Sequence, residues 1–194
     1  MSPPSWADAL LRLALPRADQ DSISGDLLEE YRQEILRTKG HAAADLWYVV
    51  QVFGYVWRAT RLGALVFSGA FLTRTVWDWL VPTADFTTRS AVTTSVAIGT
   101  LAFVGFRAAF RSESILSGIV LAGLTSQIAA VLSALGVTSM LLLWHDAATI
   151  DAINGSGGLG EAFVLPFMTL FPAVVLGAIS GVCGRVLRRL VHAA

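Results

Sequence analysis

The sequence is short of charge. Charged residues make up 14% of its 194 positions and hydrophobic ones 55%, where a soluble domain carries about 25% charged residues. Its 14 basic side chains match 14 acidic ones, which leaves no net pull toward nucleic acid. Cysteine is nearly absent. Cys183 is the one thiol, set in an apolar run. It excludes an intramolecular disulfide and a thiolate metal centre, and reads as a small buried hydrophobe. Catalytic signatures are also missing. There is no His-Glu-x-x-His, no paired aspartates in facing apolar segments, no serine with a base, and no Gly-x-x-x-x-Gly-Lys-Ser/Thr loop. No enzymatic activity, cofactor or metal ion is expected. The N-terminus opens Met-Ser-Pro-Pro with Asp8 soon after, without the basic start and apolar stretch of a cleaved signal peptide. The first apolar segment is therefore expected to serve as its own targeting signal.

Long apolar runs are what the chain has instead. A bilayer's hydrocarbon core is about 30 Å thick and takes about 20 helical residues to cross. Four stretches qualify: 62–81, interrupted by Arg74 and Asp78; 91–110; 115–144; and 162–187. The third is about 45 Å long as a helix, too long for one upright crossing and too short for two, so a tilted or protruding single span is expected. The basic residues give the orientation. Arg12, Arg17, Arg32, Arg37, Lys39, Arg58 and Arg61 precede the first stretch, Arg107 and Arg111 lie between the second and third, and Arg185, Arg188 and Arg189 close the fourth. Four crossings put all of these on one side and only Arg89 on the other. The sequence thus predicts an all-α protein in contact with the lipid bilayer. A three-helix cytoplasmic module over 1–61 leads into a four-helix transmembrane bundle over 62–194, with both termini cytoplasmic.

The second outer loop, His145–Glu161, contains glycine at 155, 157, 158 and 160. Joining two apolar helices with no lysine following, it reads as a flexible connector rather than a phosphate cradle. Trp144-His145-Asp146 reads as an interfacial anchor and helix stop rather than a metal or acid/base pair.

Within the module, Trp6–Leu15 puts Trp6, Leu10, Leu13 and Ala14 on one face, and Pro16 ends the helix. Asp21 or Ser22 is placed to cap a second helix running to Lys39, with Ile23, Leu27, Tyr31 and Ile35 at helical spacing and Asp26, Glu29, Glu30 and Glu34 opposite. Those acids are candidates for a cation site or, more simply, a solvated face paired to Arg32, Arg37 or Lys39. Gly40 is the expected terminator. A third helix starts near His41, carries Leu46, Trp47, Val50, Phe53, Gly54 and Trp57, and runs toward the first span, with Arg58 and Arg61 at the anionic inner leaflet. The aromatic group Trp47, Tyr48, Phe53, Tyr55 and Trp57 reads as packing plus an interfacial belt in preference to a ligand site.

Several of these residues carry a family likeness. Leu15-Pro16-Arg17-Ala18-Asp19, then Gly25-Asp26-Leu27-Leu28-Glu29-Glu30-Tyr31-Arg32, then Gly40, then Trp47-Tyr48 and Gln51-Val52 resemble the permease prefix domain. That helical module precedes the membrane part of bacterial ABC-type permeases of the macrolide-exporter and lipoprotein-release type. The likeness covers about residues 5–55 and implies a cytoplasm-facing module on a bacterial inner-membrane protein, with an ABC-type export system as its context. It implies no catalytic residue. Such permeases have a long periplasmic domain after their first span and a separate ATPase. Here only Pro82–Ser90 fills that place.

Inside the apolar runs, Arg74 and Asp78 are four apart and share one helix face. Gln127 sits mid-way along the third run. The three are candidates for a polar site, against an ion pair and an interhelical hydrogen bond as structural alternatives. Small residues recur at helical spacing, among them Gly118 and Ala122 in the third run and Gly177 and Gly181 in the fourth. They suit close helix packing within a bundle, or a face for another membrane protein or a second copy. Pro166 and Pro172 predict a kink. Two functions follow: a non-enzymatic, partner-binding accessory subunit of a membrane complex, or a small oligomeric transporter or channel with a polar path through Arg74, Asp78 and Gln127.

Overall fold

The computed structural model describes residues 2–81, 87–144, 146–155 and 158–193. Residues 82–86 of the expected first outer loop, His145, and residues 156–157 of the glycine-rich stretch lie outside the described residues. All regular structure in the described residues is helical: α1 (Ser5–Ala14), α2 (Gln20–Glu30), α3 (Leu36–Lys39), α4 (His41–Leu80), α5 (Thr87–Ser112), α6 (Ile115–Leu143), α7 (Ala147–Gly155), α8 (Gly158–Met168) and α9 (Leu170–Ala193). Three rods are long and apolar enough to cross a membrane: Thr87–Ser112, Ile115–Leu143 and Gly158–Val191. The expected first span is not among them. It forms the second half of α4, where Arg74 and Asp78 dilute the apolar run. The fourth expected span is broken at Thr169, between Pro166 and Pro172, where the helix drops its regular bonding.

α2 and α3 are joined by a widened π turn, Tyr31–Ile35. The turn has a use. Leu27, Tyr31 and Ile35 repeat every four residues, and a regular α-helix would rotate such a series about 40° per step. The wider turn lets all three stay buried. Gly40 then ends the rod at φ +77°, a conformation that costs glycine little. The expected cap at Asp21 or Ser22 is not formed. A tight turn at Arg17–Asp19 starts the helix earlier, and the Gln20 amide donates to the Arg12 carbonyl at 2.8 Å, stitching α2 to the open end of α1.

The buried residues here are Ala7 and Leu11 of α1 and Leu15 just after it; of the expected Trp6, Leu10, Leu13 and Ala14, Leu10 and Ala14 pack partly buried against the same core and Trp6 is exposed. Against this face pack Leu27, Tyr31 and Ile35, and from α4 Ala44, Tyr48, Val52 and Val56. In α4 the buried positions 44, 48, 52, 56, 60 and 64 again repeat every four residues, here with no widened turn. The buried line therefore winds about 200° around the helix. Its first half faces the module core, and its second half faces α5 and α6 through Ala64, Phe67 and Phe71. One helix serves two cores. The expected apolar set of this helix is turned outward: Leu46, Val50, Phe53 and Trp57 are exposed, on the far side of α4 from Ala44 and Tyr48.

The glycine-rich connector is itself mostly helical. Asp146 caps α7, accepting from the Thr149 amide at 3.0 Å and its hydroxyl at 2.8 Å. These bonds hold the Asp146 carboxyl below its ordinary pKa. Ile153 of α7 and Ala162 of α8 then close over Phe71 and Trp79 of α4. Cys183 is exposed on α9, not buried as its apolar setting predicts.

Candidate functional site

At the end of α4 four charges meet. Arg74 donates from Nε to Asp78 at 3.2 Å and from a terminal nitrogen to Glu161 at 3.0 Å. Arg89 donates to the other Asp78 oxygen at 2.9 Å, and to the carbonyls of Trp77 and Val81. Its guanidinium also lies 5.6 Å from the Trp77 ring centroid. The helical spacing of four brings Arg74 and Asp78 together; the antiparallel start of α5 supplies Arg89, and α8 supplies Glu161. Asp78 is nearly buried, 7% exposed in its side chain, so its charge requires such partners. The group is neutral overall, and Arg74, Asp78 and Glu161 line a cavity of about 20 Å³. Sequence reasoning placed Arg89 and Glu161 in outer loops and missed their role. The one signal was that they are the charges nearest the outer ends of the second and fourth runs.

Gln127 does not join this group. Its amide reaches the Phe167 carbonyl at 3.5 Å, at the break between α8 and α9, where Ser126 and Thr169 also bond at 2.7 Å. Leu72 packs over Gly136, which puts Gln127 about 15 Å below Arg74 along parallel helices. No hydrogen bond connects the two.

The small residues meet inside the molecule. A Cβ added at Gly177 would lie 2.7 Å from the Gly118 carbonyl oxygen and 2.9 Å from Ala122 Cβ. One added at Gly118 would lie 2.8 Å from the Gly105 oxygen and 3.3 Å from Gly181 Cα. α5, α6 and α9 thus touch backbone to backbone, so this face is spent within the bundle. Gly105 of α5, with Ala109 four residues on, is the member of this junction that sequence reasoning did not single out.

The module signature divides in two. Tyr31 and Tyr48 are fully buried, edge to face with ring centroids 6.0 Å apart. Tyr48 donates to Asp8 at 3.1 Å, Ser24 donates to the same oxygen at 3.0 Å, and Arg12 donates to the other at 3.1 Å. Tyr31 donates to Asp45 at 2.7 Å, and His41 faces that carboxylate at 3.0 Å. Burial, then the Asp45 bond, push the Tyr31 hydroxyl up to about 12. Burial and the nearby Asp8 raise Tyr48 likewise. Burial alone would raise Asp8, but Arg12, Ser24 and Tyr48 outweigh it and hold the carboxyl below its ordinary range. Gly25, Asp26, Glu29 and Glu30 lie on the surface, and Trp47 and Gln51 are half-buried. None of Asp26, Glu29, Glu30 and Glu34 makes the expected ion pair with Arg32, Arg37 or Lys39 among the described residues. The lysine and arginines sit on exposed turns with room to extend into water, where a pair gains little. Of the five aromatic residues grouped in sequence, Tyr48 is fully buried, Trp47 and Tyr55 pack partly buried against the same core, and Phe53 and Trp57 are exposed.

Among the described residues no three His, Cys, Asp or Glu side chains converge on a metal position. No family model, curated protein or solved structure matches the chain.

Proposed function

We propose that this chain is a non-enzymatic, four-crossing protein of a bacterial inner membrane, an accessory subunit that binds another membrane protein through its cytoplasmic helices. The likeness to the permease prefix domain makes an ABC-type exporter the system to examine first. α4 is the fourth crossing in this reading. At 40 residues it is about 60 Å long, twice a hydrocarbon core, so half of it crosses and half stands in the cytoplasm. Arg58 and Arg61 mark the boundary.

One observation carries the partner-binding role. On the cytoplasmic half of α4, Leu46, Val50, Phe53 and Trp57 form an uncovered stripe with spacings of four, three and four; Leu46 is 65% and Phe53 53% exposed. Leu46, Val50 and Phe53 lie beyond the arginines, out of reach of the hydrocarbon core, and such a stripe in water is the pattern by which a helix docks into a partner's groove. The polar-path reading has no comparable support: Arg74 and Asp78 spend their charges on each other and on Arg89 and Glu161.

The test is co-purification in mild detergent from native membranes. Val50→Lys with Phe53→Lys is expected to keep the protein in the membrane and strip its co-purifying membrane protein. If the double variant retains the same partner, the stripe is not the docking face. If wild type comes through alone, the accessory role fails.

A further inference from the structure

Among the described residues four of the thirteen arginines face a carboxylate, and four of the others share one cleft. Arg12, Arg74, Arg89 and Arg188 each face a carboxylate within 4 Å. Arg58, Arg61, Arg107 and Arg111 face none among the described residues, and all four are exposed. Yet these four line a single cleft of about 500 Å³ between α4 and α5, whose lining contains no acid. Helical spacing puts them there: Arg58 and Arg61 are three apart and Arg107 and Arg111 four apart, so each pair turns one face to the cleft. The Arg58 guanidinium also lies over the Tyr55 ring, 5.5 Å from its centroid. Below the guanidinium groups the wall is apolar, with Val66 and Phe103 along it, and Pro16 at the end of α1 closes the top.

Four uncompensated positive charges in one cleft repel each other and call for an anion from outside the chain. An inorganic anion would satisfy the charges but leave the apolar wall uncovered. A molecule with a phosphate at one end and an acyl chain at the other satisfies both. The cleft also stands where α4 enters the apolar bundle, the depth of a lipid headgroup. We propose that it binds an anionic glycerophospholipid of the cytoplasmic leaflet, with phosphate on the arginines and one acyl chain along Val66 and Phe103. The proposal rests on the membrane reading above. Because the module's Leu15 and Pro16 form the rim, the lipid would also tie the module to the bundle.

Native mass spectrometry of the full-length protein in mild detergent tests it, with phosphatidylglycerol or phosphatidylcholine added at equal concentration. Wild type is expected to retain phosphatidylglycerol in preference. Arg61→Gln with Arg107→Gln should weaken retention about 30-fold, from about 1 kcal/mol per arginine near an anionic surface. Arg32→Gln with Arg37→Gln, equal in charge but on the module surface, should not. Equal retention of the two lipids by wild type overturns the proposal whatever the variants do. So does an equal loss in the control pair, which would mean that net charge alone acts. Displacement of phosphatidylglycerol by millimolar inorganic phosphate would identify a free-phosphate site and also overturn it. Recovery of the protein outside the membrane fraction would refute the membrane reading itself, which separates the two failures.

Discussion

Asp8 illustrates what single residues do in the module. It is an acid on α1 that receives hydrogen bonds from Arg12, Ser24 of α2 and Tyr48 of α4, so one carboxylate ties three helices. Its pKa lies below the ordinary 3.8 because these donors outweigh the cost of burial. A depressed folded pKa contributes stability that is present above the unfolded value and lost as pH falls through the folded one. Asp8→Asn keeps the shape and an acceptor but removes the charge, and should lower the unfolding free energy by about 1–2 kcal/mol near neutral pH. The gap between wild type and variant should close on acidification below 3.8. Denaturant unfolding followed by tryptophan fluorescence across that range measures it; a gap that stays constant with pH would show that the charge is not what matters. None of this was legible in the sequence, where Asp8 is a lone acid and Tyr48 one of a cluster of aromatics. Tyr48 and Tyr31 are tied to carboxylates distant in sequence, and periodicity carries no information about such bonds.

At the scale of elements, the sequence located the helices well and their faces unevenly. α5, α6 and the α8–α9 rod begin and end within a few residues of the apolar runs, since a single long apolar run satisfies its own backbone hydrogen bonds only as a helix. Gly40 as terminator and the stripe Leu27, Tyr31, Ile35 were equally legible. Faces failed where large apolar residues point outward. In α1 the contact residue is Ala7 rather than the bulkier Trp6, and in α4 the core uses Tyr48 and Val52 rather than Phe53 and Trp57. Apolarity marks a contact face only when the opposite face is polar. Where a partner or lipid covers the outside, small residues mark the inside better. The glycine junction makes this measurable. Gly177→Val pushes a branched side chain against the Gly118 oxygen and Ile119 Cα, both within 3.0 Å of the added Cβ. It should cost about 1–3 kcal/mol through overpacking and separate α9 from α6. Gly99→Ala, with nothing within 4 Å of the new Cβ, should leave stability unchanged or raise it by helix propensity. Thermal melts in detergent compare the two. Equal melting temperatures for Gly177→Val and wild type would mean that the helices are not in contact there.

For the whole molecule, the charges give the clearest description. One end gathers the module, Arg107, Arg111 and the close of α9, where Arg188 pairs with Glu113 at 3.5 Å. The other end gathers the neutral group of Arg74, Asp78, Arg89 and Glu161. The balance of basic residues was legible from the sequence; the closing of this second end was not, because Glu161 is 87 positions from Arg74. The number of crossings turns on α4. If its second half crosses, Thr38 and Asp151 lie on opposite sides of the bilayer; if it does not, they lie on the same side. Both are exposed, and the single native thiol can be removed as Cys183→Ala to give a clean background. Thr38→Cys and Asp151→Cys are then each treated in intact cells with a membrane-impermeant thiol reagent. Asp151→Cys should label at once and Thr38→Cys only after permeabilisation. Labelling of both from outside, or of neither until lysis, would leave three crossings. The reverse pattern would keep four crossings and invert the protein, contrary to where its arginines cluster. The polar group favours four. Asp78 and Arg74 lower the apolarity of the last stretch of α4, yet each neutralises the other and Arg89 and Glu161 complete the balance. The segment thus presents bonded pairs rather than bare charges, and a group so neutralised meets the membrane at far less cost than its composition implies.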